Sequence, residues 1–176
     1  MRPTVLNPLF AELPSLPGIG PRIAKAIELA IGGRHLADLV WHFPTGAIDR
    51  RFAPSLADVP AGALVTVTGR IDAHQPPRHR RQPYKIKLSD ATGELTLVFF
   101  RGSADYLKRQ LPEGELRVVS GRAQEYGGGM QITHPDHIGT VGEQSELQAI
   151  EPTYRLVAGI TQKPMQKALR AILARV

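Results

Sequence analysis

Residues 84–99 read YKIKLSDATGELTLVF. Tyr84, Ile86 and Leu88 alternate with Lys85 and Lys87, a period of two that places the apolar set on one face of a strand and the cations on the other. A turn at Thr92-Gly93 follows, and Leu95, Leu97 and Phe99 repeat the alternation in a second strand. Upstream, Val65, Val67 and Ile71 alternate with Thr66, Thr68 and Arg70 in a half-buried strand. Downstream, a short helix is expected at about 103–111, with Ser103 as its cap and Leu107 and Leu111 on one side. Two more strands fit 115–125 and 130–134, joined by Gly127-Gly128-Gly129. Three strands, a helix and two strands, all short, match the OB-fold, a five-stranded Greek-key barrel whose common ligands are oligonucleotides. Another small β-barrel has a similar pattern.

Helical segments flank this barrel, so the fold class is mostly β with flanking helices. Residues 1–52 form a small helical segment, 53–147 the barrel, and 148–176 a linker and helix. Leu16-Pro17-Gly18-Ile19-Gly20-Pro21 reads as a tight turn, with Pro21 opening a helix that carries Ile23, Ala26, Ile27 and Ala30 and stops at Gly32-Gly33. Leu36, Leu39, Val40 and Phe43 line one face of a second short helix stopped by Pro44. The turn resembles the hairpin of helix–hairpin–helix DNA-binding motifs. On that reading Gly18, Gly20 and Arg22 meet a phosphate at a helix N-terminus; a plain packing turn has the same sequence. Near the C-terminus Thr161 caps a helix whose stripe is Met165, Leu169, Ile172 and Leu173. The stripe has no stop signal, as expected of a helix leading into further chain.

The chain has 176 residues, with 22 Lys+Arg against 16 Asp+Glu for a formal charge of +6. The excess is local. Residues 74–89 carry Arg78, Arg80, Arg81, Lys85 and Lys87 with no acid, and 155–176 carry Arg155, Lys163, Lys167, Arg170 and Arg175 with none, whereas 90–154 are net acidic. Local patches of this kind mark polyanion-binding surfaces, although a loop kept charged for solubility looks alike. With no cysteine, disulfide scaffolds, thiol catalysis and cysteine-ligated metals are excluded, in keeping with a cytoplasmic protein. No apolar stretch is long enough to span a bilayer, so no membrane role is expected.

The most informative loop is His74-Gln75-Pro76-Pro77-Arg78-His79-Arg80-Arg81-Gln82-Pro83. Its prolines stiffen it, its arginines suit bidentate phosphate contacts, and His79 adds a ring that stacks or hydrogen-bonds. In OB-folds the loop between strands 1 and 2 flanks the ligand face. Lys85 and Lys87 fit a phosphate-tracking surface. Tyr84 either stacks on an unpaired base or closes the barrel core, and Tyr126 beside the glycines has the same two readings. His134-Pro135-Asp136-His137 imitates a metal motif, but Pro135 breaks its geometry and no third ligand follows at sensible spacing; no metal is expected. There is no G-x-x-x-x-G-K-[ST] phosphate loop and no catalytic dyad, so no catalytic residue and no cofactor is assigned to this chain.

Several stretches together resemble one family. Leu16-Pro17-Gly18-Ile19-Gly20-Pro21, His42-Phe43-Pro44-Thr45-Gly46-Ala47-Ile48-Asp49-Arg50-Arg51, Glu94-Leu95-Thr96-Leu97-Val98-Phe99-Phe100, Gly129-Met130-Gln131-Ile132-Thr133-His134-Pro135 and Tyr154-Arg155-Leu156-Val157-Ala158-Gly159-Ile160-Thr161-Gln162-Lys163 are similar, in order, to the start of RecG-type branched-DNA helicases. The family motif carries a tyrosine where this chain has Ala47. The resemblance implies the wedge region of an ATP-dependent helicase, an OB-fold that binds stalled forks and Holliday junctions and splits their strands in repair and recombination. ATP and Mg would belong to motor domains outside this chain, which would itself be a monomer and hydrolyse nothing. The resemblance also implies aromatic rings stacking on bases at the fork, for which Tyr84 lies in the expected place. Two other readings remain: a protein-interaction adaptor docking through the 165–173 stripe, and a stand-alone single-strand binder.

Overall fold

The computed structural model describes residues 3–79, 81–147 and 149–174. In chain order the elements are α1 (Pro21–Ile31), α2 (Leu36–Val40), β1 (Gly46–Asp49), β2 (Leu64–Gln75), β3 (Tyr84–Ser89), β4 (Glu94–Phe99), α3 (Ala104–Gln110), β5 (Leu116–Tyr126), β6 (Gly129–Thr133), β7 (His137–Gly139), α4 (Gln144–Leu147), β8 (Ile150–Thr153) and α5 (Gln162–Leu173). The chain divides into two compact units. One runs from Asp49 to Ile150; the other contains the residues up to Ile48 and those from Glu151 onward.

The first unit is a five-stranded mixed barrel with the OB-fold order β2-β3-β4-β6-β5, closed by pairing of β2 with β5. Every pair is antiparallel except β4 with β6. Strand β2 serves two partners: its first half pairs β5 and its second half β3, and Arg70 takes part in both ladders. Gly69 stands at that switch. A Cβ there would meet Leu88 Cγ at 2.7 Å and the Ser89 carbonyl at 2.8 Å, so the strand crosses its neighbour only where a side chain is missing. The alternating apolar residues all point inward: Val65, Val67, Ile71, Ile86, Leu88, Leu95, Leu97 and Ile132 are buried, and Leu107 and Leu111 join them from α3. As expected, Ser103 caps α3 by accepting from the Tyr106 N–H. Strand β7, from the His-Pro-Asp-His stretch, adds to the free edge of β5.

The β3–β4 turn is held by one carboxylate. Asp90 Oδ1 accepts from the Thr92 hydroxyl and from the Thr92 and Gly93 N–H groups, and its Oδ2 accepts from the Leu56 N–H. Desolvation opposes the charge, but these donors, led by the Thr92 hydroxyl, outweigh it and hold the pKa at about 2. A depressed carboxylate stabilises the fold above its unfolded pKa of about 4 and loses that contribution as the pH falls toward its folded value. Thermal melting across this acid range is expected to show the loss, and Asp90→Asn to flatten that part of the profile.

In the second unit α1, α2 and α5 share one core, built from Leu13, Leu16, Ile19, Ala24, Ile27, Leu36 and Leu39 with Ile160, Met165, Ala168, Leu169 and Ile172. The stripe of α5 is therefore already covered, apart from Leu173, which is exposed. Phe43 also departs from expectation. Helix α2 ends at Val40, so Phe43 lies beyond its buried face, exposed and edge-on to Trp41 with ring centres 5.8 Å apart. Strands β1 and β8 pair in a separate two-stranded sheet. No helix among the described residues is long and apolar enough to cross a membrane.

Candidate nucleic-acid interface

The outer face of the barrel is written by the same alternation that fills its core. Lys87 lies opposite Thr96 and Lys85 opposite Val98; Thr96 and Val98 in turn face Gln131 and Thr133 of β6. The 76–83 loop leaves this sheet at the end where β3 starts and β4 finishes, since Tyr84 pairs Phe99. The Gly127-Gly128 turn, flanked by exposed Tyr126, lies at the other end, where β6 starts.

The loop is tied across its own width. The Arg78 N–H donates to Gln82 Oε1 at 3.0 Å, and the Gln82 N–H donates to the His79 carbonyl at 2.9 Å. Arg78, His79 and Arg81 are exposed, and none forms an ion pair among the described residues. Arg80 lies outside the described residues. Lys85 and Lys87 are half-buried on the outer face; Lys87 Nζ reaches Glu94 Oε2 at 3.2 Å, an exposed pair of small energetic weight.

Tyr84 is in the core, not on the surface. It is 6% exposed, because period two puts it with Ile86 and Leu88, and so it offers no face for a base. Its hydroxyl donates to His74 Nδ1 at 3.0 Å, while His74 Nε2–H donates to the Leu111 carbonyl at 2.7 Å. The carbonyl can only accept, so Nε2 carries a proton, and in the tautomer protonated there alone Nδ1 accepts from the phenol. The His74 N–H also donates to Glu113 Oε1. Burial, and then the nearby Glu113 charge, raise the Tyr84 phenol above its ordinary pKa. The root of the basic loop is thus anchored in the barrel wall. Tyr84→Phe would leave His74 Nδ1 without its donor, at an expected cost of about 1 kcal/mol in urea unfolding, with DNA affinity per folded molecule unchanged.

Two exposed rings escaped the sequence reading. Phe100, just past β4, is 63% exposed, and Tyr106 in the first turn of α3 is 51% exposed. Because Phe99 pairs Tyr84, Phe100 lies at the basic-loop end of the sheet. It is held from behind: its N–H donates to His134 Nε2 at 3.1 Å, and the two rings lie 6.1 Å apart at 38°. The signal was present in Phe99-Phe100, since alternation sends the second ring outward.

The His-Pro-Asp-His stretch is structural. His134 supports Phe100, and Asp136 Oδ2 accepts from buried Arg50 at 2.9 Å, within a network that includes Ser120 and Thr66. No cluster of three metal-ligating side chains occurs among the described residues. In the helical unit Gly18 has φ +72° and exposed Arg22 follows Pro21 at the start of α1, with Gly20 as its cap. Lys167 of α5 closes over this turn: a Cβ on Gly18 would lie 2.5 Å from its Nζ.

A family model described as an OB-fold nucleic acid binding domain matches residues 65–137. Among curated proteins, the ATP-dependent DNA helicase RecG of Thermotoga maritima is 30% identical over 90% of this chain and 20% of its own length. That of Escherichia coli strain K12 is 26% identical over 88% of this chain and 22% of its own length. A solved structure of RecG bound to a three-way DNA junction superimposes on 96% of this chain, with TM-score 0.82 and 27% identity, and this chain covers 23% of it. The chain is a RecG-like N-terminal region built on an OB-fold. The match runs through both units of the RecG-like region, and the chain spans about a fifth of the length of these curated relatives.

Proposed function

We propose that this RecG-like region recognises branched DNA, such as stalled forks and Holliday junctions, and separates its strands as a passive wedge. The observation that carries the reading is the convergence, at one end of an OB barrel, of an outward ring with Arg78, Arg81 and Lys85, which form no ion pair among the described residues. Arg78, Arg80 and Arg81 with Lys85 and Lys87 supply phosphate contacts, and His79 adds a donor. Phe100 and Tyr106 take the stacking role first expected of Tyr84, for a ring facing solvent meets an unpaired base where a duplex ends. The closed barrel is a rigid obstacle that a double helix cannot pass intact. In the helical unit Gly18, Gly20 and Arg22, joined by Lys167, form a second phosphate contact.

The RecG-like match and the junction-bound relative support this reading. Strand separation would be driven by an ATP- and Mg-dependent motor elsewhere in a longer protein, while this region binds the DNA and hydrolyses nothing. An adaptor docking through the α5 stripe is disfavoured because that stripe packs within its own unit.

Fluorescence anisotropy with a model fork, its matched linear duplex and its single strand, each at two salt concentrations, tests the proposal. A clear preference for the fork supports it. Equal binding to all three reduces the surface to a general cation, and preference for the single strand makes it a strand binder. Phe100→Ala is expected to lower fork affinity about tenfold, in the range that base stacking contributes, with the melting temperature unchanged.

A further inference from the structure

The basic loop frames a cleft of about 680 Å³ lined by Pro76, Pro77, Pro83, Arg78, Gln82 and Lys85 together with His74. Its composition is unusual for a surface hollow. Three proline rings give stiff apolar walls without N–H groups, and no carboxylate is among its lining residues. Arg78 and Lys85 line it and have no ion-pair partner among the described residues, which favours an anionic ligand. The Gln82 Oε1 is committed to the Arg78 N–H, which leaves its NH2 as a donor. His74 is spent on Tyr84 and Leu111 and contributes only ring surface. One backbone-to-side-chain and one backbone-to-backbone hydrogen bond cross the loop, and the His74 N–H bond to Glu113 anchors its root.

We propose that this cleft is a pocket for one unpaired nucleotide, its base flat against the prolines, its phosphate held by Arg78 and Lys85, and an acceptor of its base or sugar met by Gln82. This rests on the reading that the region binds DNA, and adds that the loop takes in a single nucleotide as well as gripping the backbone. The apolar walls argue for a nucleotide over a bare phosphate, because an inorganic anion gains nothing from three proline rings. The volume lies within the roughly 300–1,000 Å³ usual for small-ligand sites, too small for a duplex and large enough for one nucleotide.

The test follows backbone amide shifts of the nitrogen-15-labelled 176-residue chain with three probes: a thymidine hexanucleotide, the same backbone without bases, and inorganic phosphate. The expected result is saturable shifts at Arg78, Gln82 and Lys85 with the hexanucleotide, at least about fivefold weaker with the abasic strand, the low end of what base stacking contributes. Pro77→Ser should erase that difference and leave the abasic affinity unchanged; Lys85→Ala should weaken both strands, and supplies the check if the proline variant misfolds. Equal response to the abasic strand, or saturation by phosphate alone, overturns the pocket in favour of a plain anion site. No shift in the loop while fork binding persists overturns the pocket and leaves the wedge reading standing. Loss of fork binding altogether in the unaltered chain removes both.

Discussion

Replacing Arg78, Arg80 and Arg81 together by glutamate is expected to lower fork affinity about a hundredfold or more at moderate salt, the largest functional effect of any change in this region. The cause is the release of counterions. Each cation seated on a DNA phosphate frees condensed salt ions and adds roughly 0.9 to the slope of log affinity against log salt, so losing three contacts flattens that slope by about 3. Reversal also adds repulsion, which neutral replacement lacks, and the alanine triple variant should fall between. Folding should be untouched: Arg78 and Arg81 are exposed and make no ion pair among the described residues. Salt-resolved anisotropy with a circular dichroism control reads both quantities. Unchanged affinity would remove the loop from the DNA surface.

The second large effect concerns stability. Arg50 is 5% exposed, and its guanidinium donates to Asp136 at 2.9 Å and to Ser120 Oγ at 3.2 Å. Asp136→Ala removes a carboxylate paired with a buried cation, a change that costs up to about 3–5 kcal/mol where the charge is left uncompensated. Asp136 itself is half exposed and screened by solvent, so a cost of about 2–3 kcal/mol is expected, or roughly 8–12 °C in the melting temperature of a barrel of this size. Arg50→Met in the same background should recover part of the loss, because an apolar chain of similar length has no charge to strand. A double-mutant cycle by calorimetry measures this directly. If Asp136→Ala melts with the unaltered chain, the pair does not hold the barrel together.

The barrel was legible because a half-buried strand records its own orientation residue by residue. Val65 to Ile71, Tyr84 to Leu88 and Leu95 to Phe99 each carry the alternation, and their strands lie within a residue or a few of where it places them. The β1–β8 pair was not legible, as four-residue strands with no buried alternation leave no period to read. Strand β7 hid inside a histidine-rich stretch whose polar side chains suggested chemistry, while its backbone was completing the β5 edge. For the interface, the cations were visible as a charge run. Phe100 was legible too, since the alternation of Leu95, Leu97 and Phe99 turns the next ring outward, but a single exposed ring beside a buried one does not by itself mark a binding surface. The approach of Lys167 to Gly18 joins positions far apart in the chain, which no local pattern records.

One hydrogen bond has a consequence for how the molecule assembles itself. The Arg50 N–H donates to the Ala149 carbonyl at 3.1 Å, so the folded barrel holds its own two ends side by side. The helical core needs Leu13, Leu16 and Ile27 to meet Met165, Leu169 and Ile172 across roughly 140 or more intervening residues, the barrel among them. With those residues loose, closing so long a loop would cost about 3 kcal/mol more than closing a short one. A barrel that folds first, as its earlier completion on the ribosome permits, removes most of that cost. Its folding then acts as an intramolecular clasp, delivering the late-made α5 to helices synthesised long before it.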